Sequence, residues 1–187
     1  MSMKILLESW DKYLNESSLS RTQQHLENYD CAILTAYRGD PTDGSKCIAG
    51  SRVESGTSNK FRMNQARNVD LLSTLKGLGY GVTGVLGTYI ENYGKEDAIE
   101  VKEHSYFVVN LNEDPSFFTQ IENLGQYFCQ DAVLISPKGG KTAYLLGTNN
   151  NEFPSLGVKQ TTGRFIGGET GEFMTRVGDR TYVFTTK

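Results

Sequence analysis

The sequence predicts an α+β fold, a mixed α/β sandwich whose sheet is mostly antiparallel or mixed, with two main helices and an appended N-terminal amphipathic helix. Three observations predict it. Short apolar runs rich in strand formers alternate with polar turns, and two longer segments between them carry helical spacing and helix-end signals. The resulting order is strand, helix, two strands, helix and then more strands, which does not alternate as a doubly wound fold does.

Taken in order, residues 1–16 place Met3, Leu6, Leu7, Trp10, Tyr13 and Leu14 at i, i+3, i+4 and i+7 spacings, an amphipathic helix with a charged second face. The polar, Ser-rich run after it reads as a linker over residues 17–28, leaving residues 29–187 as one α/β domain. YDCAILTAY, residues 29–37, is short and apolar enough for a buried strand. Residues 38–59 follow, rich in Gly, Ser, Asp and Thr and without periodicity, a long loop of the functional or disordered kind. KFRMNQARNVDLLSTLKGLG repeats apolar residues at Phe61, Val69, Leu72, Leu75 and Leu78 and stops at Gly77 and Gly79, which predicts a helix.

GYGVTGVLGTYIE and AIEVKEHSYFVVN, joined by a polar turn, predict a hairpin. Asp114 followed by Pro115 opens a second helix whose buried stripe would be Phe117, Phe118, Ile121, Leu124 and Phe128. DAVLISP and KTAYLLGT read as strands on either side of KGG, and EFMTRVGDRTYVFTT as a hairpin turning at Gly178 and Asp179.

Composition narrows the function. The chain has 187 residues, the size of one domain, and its 37% hydrophobic and 11% aromatic content is enough for a core. A formal charge of -3 gives no general attraction to a phosphate backbone, so nucleic acid is not an expected partner. The three cysteines, Cys31, Cys47 and Cys129, are an odd count without CxxC spacing, which predicts free thiols in a reducing compartment. His25 and His104 stand in no zinc-binding pattern, so neither a metal nor another cofactor is expected. No apolar run approaches the ~20 residues that span a bilayer, and no secretory h-region opens the chain.

KGGKT, residues 138–142, matches the end of a phosphate-binding P-loop, but Ile135 stands where that motif has glycine and a strand follows where it needs a helix, so a tight turn is predicted. Polar residues gather instead at element ends: Arg38, Asp40, Asn64, Arg67, Glu91, Glu103 and Ser105 are the ligand-binding candidates. As an enzyme site, Arg38 and Arg67 would be anion clamps and Glu91 or Glu103 the general acid or base, provided that they converge on one concavity. Otherwise Asn64 and Arg67 would brace the adjacent loop, and the carboxylates would be solvated.

Three resemblances bear on function. The order TAYRGD, NQAR, GTYIEN, EHSYFVV and YFCQDAVLIS, over residues 30–136, resembles a family of small uncharacterised bacterial and phage proteins and implies a shared fold without an established activity. AYRG, with Glu172 in GETGEF, is similar in part to ADP-ribosyltransferases, although Thr170 stands where those enzymes carry Glu or Gln. MKILLESWDKYLNE before a serine resembles the capsid-targeting leader of internal proteins of tailed phages, which implies prohead-protease cleavage at Leu14, Asn15 and Glu16, before Ser17.

Together these imply a phage-encoded accessory protein, packaged in the virion and delivered to the host, that binds a host protein or a small ligand. Its location would be the virion interior or the host cytoplasm, with the capsid interior engaged through the N-terminal helix. The alternatives are an enzyme acting on nucleotides or nucleic acid, a hydrolase or an ADP-ribosyltransferase-like protein, and a virion structural subunit.

Overall fold

A computed structural model describes residues 21–56, 59–91, 96, 99–150, 154–167, 173–177 and 180–185, with only the backbone at 88–91, 99–101, 164–167, 173–177 and 180–185. Its strands are β1 (Cys31–Leu34), β2 (Gly81–Glu91), β3 (Ile99–Val109), β4 (Ala132–Ser136), β5 (Ala143–Gly147), β6 (Lys159–Gly167), β7 (Phe173–Val177) and β8 (Arg180–Thr185). They pair antiparallel in the order β1-β3-β2-β7-β8-β6-β5-β4, and β4 returns to β1, so the sheet closes into a ring. The α+β class therefore holds, and closure removes the exposed edges that an open sheet would present.

Alternation along the strands gives the ring two apolar faces. The outer one, with Ala32, Leu34, Val108, Val133, Ile135 and Leu146, packs with Leu71 and Leu75 of helix α2 (Lys60–Gly77) and with Phe117, Ile121, Leu124 and Phe128 in and beside helix α3 (Phe117–Tyr127). The inner face gathers Cys31, Val85, Phe107 and Val109, joined by Leu26 from helix α1, residues 21–28. Residues 21–28 were expected to be linker. They fold as a helix because Leu26 is buried in that inner cluster and its carbonyl, with that of Glu27, accepts from the Gly139 N–H. The leader helix and its cleavage residues Leu14, Asn15, Glu16 and Ser17 lie outside the described residues.

In the long hairpin, β2 and β3 pair along their whole lengths, from Gly81↔Val109 to Glu91↔Ile99. Helix α3 buries the expected stripe, with Phe118 half-buried against it. Asp114 stands before it, its carboxylate accepting from the Ser116 N–H at 2.9 Å and hydroxyl at 2.6 Å and from the Tyr80 hydroxyl at 2.7 Å. Those donors hold the Asp114 carboxyl below the usual carboxylate range. A Cβ on Gly125 would lie 2.7 Å from Val133 Cγ1, so glycine there lets α3 lie close upon β4.

Helices α2 and α3 end in the same way. Gly79 has φ 82°, its N–H reaches the Lys76 carbonyl, and the Tyr80 N–H reaches that of Leu75. In α3 the left-handed residue is Cys129, φ 51°, with Cys129 N–H on Gln126 and Gln130 N–H on Gly125.

Helix α2 forms as predicted, but its apolar repeat is split between two faces. Phe61 and Val69 are 58% and 62% exposed, and the buried face carries Met63, Asn64, Arg67, Asn68, Leu71 and Leu75. The cause is the chain after β1. Residues 35–38 leave the sheet, so their backbone groups need partners that no strand supplies. Asn68 Oδ1 accepts from the Ala36 N–H at 3.0 Å, Asn64 Oδ1 from the Arg38 N–H at 3.0 Å, and Asn64 Nδ2 donates to the Arg38 carbonyl at 2.8 Å.

The long loop is ordered where it is described. Asp40 accepts from Lys60 Nζ at 2.5 Å and from Thr42, Ser51 donates to the Gln126 carbonyl at 2.7 Å, and a disulfide joins Cys47 to Cys129 across Cα atoms 5.2 Å apart. Free thiols were expected at all three cysteines. Only Cys31 is free, buried, with its thiol pushed up to about 12 by that burial.

Candidate functional site

Between α2 and the outer face of the β2–β3 hairpin lies an open cleft of about 770 Å³, within the ~300–1,000 Å³ typical of small-molecule sites. One wall is the exposed stripe of α2, Phe61, Gln65 and Val69 at four-residue steps, with Ala66 and Asn68 beside it. Gly84, Leu86, His104 and Tyr106 form the sheet side, and Tyr37 closes the end where the chain leaves β1. At Gly84 a Cβ would meet nothing within 4 Å, so this part of the floor is bare backbone.

The aromatic groups are held from behind. The Tyr37 and His104 rings lie 5.9 Å apart, tilted by 50°. The His104 carbonyl accepts from Thr35 Oγ1 at 2.7 Å and from Asn68 Nδ2 at 3.1 Å, while the Tyr37 carbonyl accepts from Gln130 Nε2 at 3.2 Å. Tyr106 donates its hydroxyl to the Asn68 carbonyl at 3.2 Å. Burial, assisted by the nearby Tyr37 phenol, raises the Tyr106 pKa, which keeps that hydroxyl protonated as a donor. Among the described residues no Asp, Glu, Lys or Arg lines the cleft. The surface is therefore suited to a ligand with a flat ring and a diffuse positive charge.

Of the seven candidates read from the sequence, Ser105 alone lines this cleft. By strand alternation Ser105 faces the ring interior with Val85 and Phe107, and its Oγ would lie 2.8 Å from a Cβ on Gly87. Glu103, opposite Gly87, shares that face by register, and the Glu91 side chain lies outside the described residues. Arg67 is fully buried and donates to the carbonyls of Ala36 at 2.9 Å, Arg52 at 2.7 Å and Phe128 at 2.5 Å. Asn64 is bound to the Arg38 backbone, and Asp40 to Lys60 and Thr42. Arg38 lies beside the disulfide, its Nη1 2.8 Å from Cys47 Sγ. The described side chains of Arg38, Arg67 and Glu103 thus do not line this cleft.

Sequence reasoning missed Tyr37, Phe61, Gln65, Val69, Gly84, His104 and Tyr106. The available signal was the polar stripe Asn64, Arg67 and Asn68 opposite Phe61, Gln65 and Val69, two faces of which only one can be core. KGGKT forms a turn, with φ 103° at Gly139 and 60° at Gly140, and no helix follows. Glu172, the carboxylate of the ADP-ribosyltransferase resemblance, lies outside the described residues. Among the described residues no helix is long and apolar enough to cross a membrane.

A family model described as the S-adenosylmethionine lyase family matches residues 56–185. No curated protein matches the chain. The family match overturns the expectation of a non-enzymatic accessory protein and of a family without an activity, and it is consistent with a small ligand rather than a host protein. It supports neither a nucleotide- or nucleic-acid-directed hydrolase or ADP-ribosyltransferase nor a virion structural subunit. Covering well over half of the sequence, and including α2, the β2–β3 hairpin, α3 and every later strand, the match places this chain in the S-adenosylmethionine lyase family.

Proposed function

We propose that the protein cleaves S-adenosylmethionine and holds it in the cleft between α2 and the β2–β3 hairpin. Family membership is the observation that carries this reading, and the lining of the cleft supports it. The substrate joins a flat purine to a sulfonium centre. Phe61, Tyr37, His104 and Tyr106 offer ring faces or edges for the purine, and a cation over an aromatic face gains about 0.5–2 kcal/mol.

Lyase chemistry asks little of acids and bases here. The substrate's own carboxylate can displace the sulfur: a carbon–oxygen bond closes a lactone as the carbon–sulfur bond breaks. The thioether leaves with the bonding pair as a neutral molecule, and neither an acid to protonate it nor an added water is required. A step that extinguishes a charge is favoured where water is excluded and fixed dipoles replace it. A cleft with aromatic walls and no Asp, Glu, Lys or Arg among its described lining meets that demand, whereas the clamp of arginines and carboxylates expected from sequence would suit a phosphoanion.

Incubation with S-adenosylmethionine carrying a labelled methyl group tests the reading. The expected result is a neutral thioether nucleoside that keeps the label, and an amino-acid fragment that at early times contains no oxygen from labelled water. Transfer of the methyl group, immediate incorporation of water oxygen or failure to consume the substrate would contradict it.

A further inference from the structure

We propose that Gln65 reads the amino edge of the substrate's adenine and so selects that base; this rests on S-adenosylmethionine being held in the cleft. Two carboxamides line the cleft, and only one of them is available. Asn68 uses Oδ1 to accept from the Ala36 N–H and Nδ2 to donate to the His104 carbonyl, so its function is to hold the walls together. Gln65 is exposed, one helical turn from Phe61 and one from Val69, and its amide makes no hydrogen bond among the described residues.

The position fits the task. Adenine presents a donor, the exocyclic amino group, beside a ring-nitrogen acceptor, and a carboxamide presents the matching acceptor and donor at the same spacing. Phe61 and Val69 on either side of Gln65 form an apolar helix face, and bare backbone at Gly84 leaves room on the sheet side for a planar base. Tyr106 is already bound to the Asn68 carbonyl, so its hydroxyl is not free to donate to the base. A polar side chain centred between two apolar ones in this way gives direction to a base that stacking alone would hold in any orientation.

The test is a cycle of two changes, one in the protein and one in the ligand. Inhibition of S-adenosylmethionine cleavage is measured with adenosine and with purine riboside, which lacks only the amino group, for the wild type and for Gln65→Leu. Wild type is expected to prefer adenosine by about tenfold, the scale of one well-placed hydrogen bond, and Gln65→Leu to show a preference near one. Because Gln65 is exposed, circular dichroism of the variant should match the wild type. A preference that persists in Gln65→Leu, or a wild type that binds the two nucleosides equally, would overturn the assignment while leaving the lyase reading intact. Failure of the wild type to cleave S-adenosylmethionine at all would remove the lyase reading itself, and that result is obtained before any variant is made.

Discussion

Replacement of Arg67 by Met is expected to lower folding stability by about 3–5 kcal/mol, the cost of breaking up a buried, hydrogen-bonded charge. The guanidinium has no exposed surface and donates to three carbonyls from three separate segments: Ala36 after β1, Arg52 in the long loop and Phe128 at the end of α3. Burial pushes its pKa down to about 10 against the pull of Glu54, whose carboxylate is 3.9 Å away, so it stays a cation at neutral pH. It also lies 5.7 Å from the Phe128 ring centroid. Methionine fills much of the same volume but leaves the carbonyls without donors, each at a cost of about 1–3 kcal/mol where water cannot replace them. Arg67→Lys should recover only part of the loss, because one ammonium cannot reach in three directions from a planar fork. Urea titration measures this, and a loss below about 1 kcal/mol for Arg67→Met would show that the three segments are held by other contacts.

The second large effect is expected from the disulfide. Cys47 and Cys129 are 82 residues apart, and closing a loop of that size restricts the unfolded chain by an amount worth about 4.5 kcal/mol at most. Reduction, or Cys47→Ser, should therefore lower stability by about 2–4 kcal/mol. Alkylation of the unfolded protein provides the direct count: one thiol, Cys31, reacts without reductant, and all three after reduction. Reaction of all three without reductant would contradict the bond.

These two residues also mark where the sequence stopped being informative. The hairpin, α3 and the class of the fold were legible because alternation, an Asp-Pro helix start and a clean apolar stripe are local signals. Closure of the ring was not legible, since it depends on long-range pairing, β4 returning to β1 and β6 joining β5 to β8. The disulfide was hidden in the same way, by a separation of 82 residues and an odd cysteine count.

Helix α2 misled for a different reason. Apolar residues are normally the buried ones, but here residues 35–38 must have their backbone groups satisfied, and Asn64, Arg67 and Asn68 face inward to do it. Phe61 and Val69 are left outside, where they become a wall of the cleft. Arg67, which looked like an anion clamp, is thus a brace for the chain after β1. Glycine at 84 gave no sequence signal, because its value lies in the room it leaves.

That room permits the most direct test of the central claim, that S-adenosylmethionine is cleaved in this cleft. In Gly84→Leu the new side chain enters open space at the floor, where a Cβ meets no atom within 4 Å, so the fold should be retained, with a melting midpoint close to that of the wild type. The site would be filled where a planar base would lie, and kcat/KM for S-adenosylmethionine is predicted to fall at least ~100-fold, the scale of a steric block in a fitted pocket. A folded Gly84→Leu protein that cleaves S-adenosylmethionine at the wild-type rate would contradict the account and place the reaction elsewhere on the molecule.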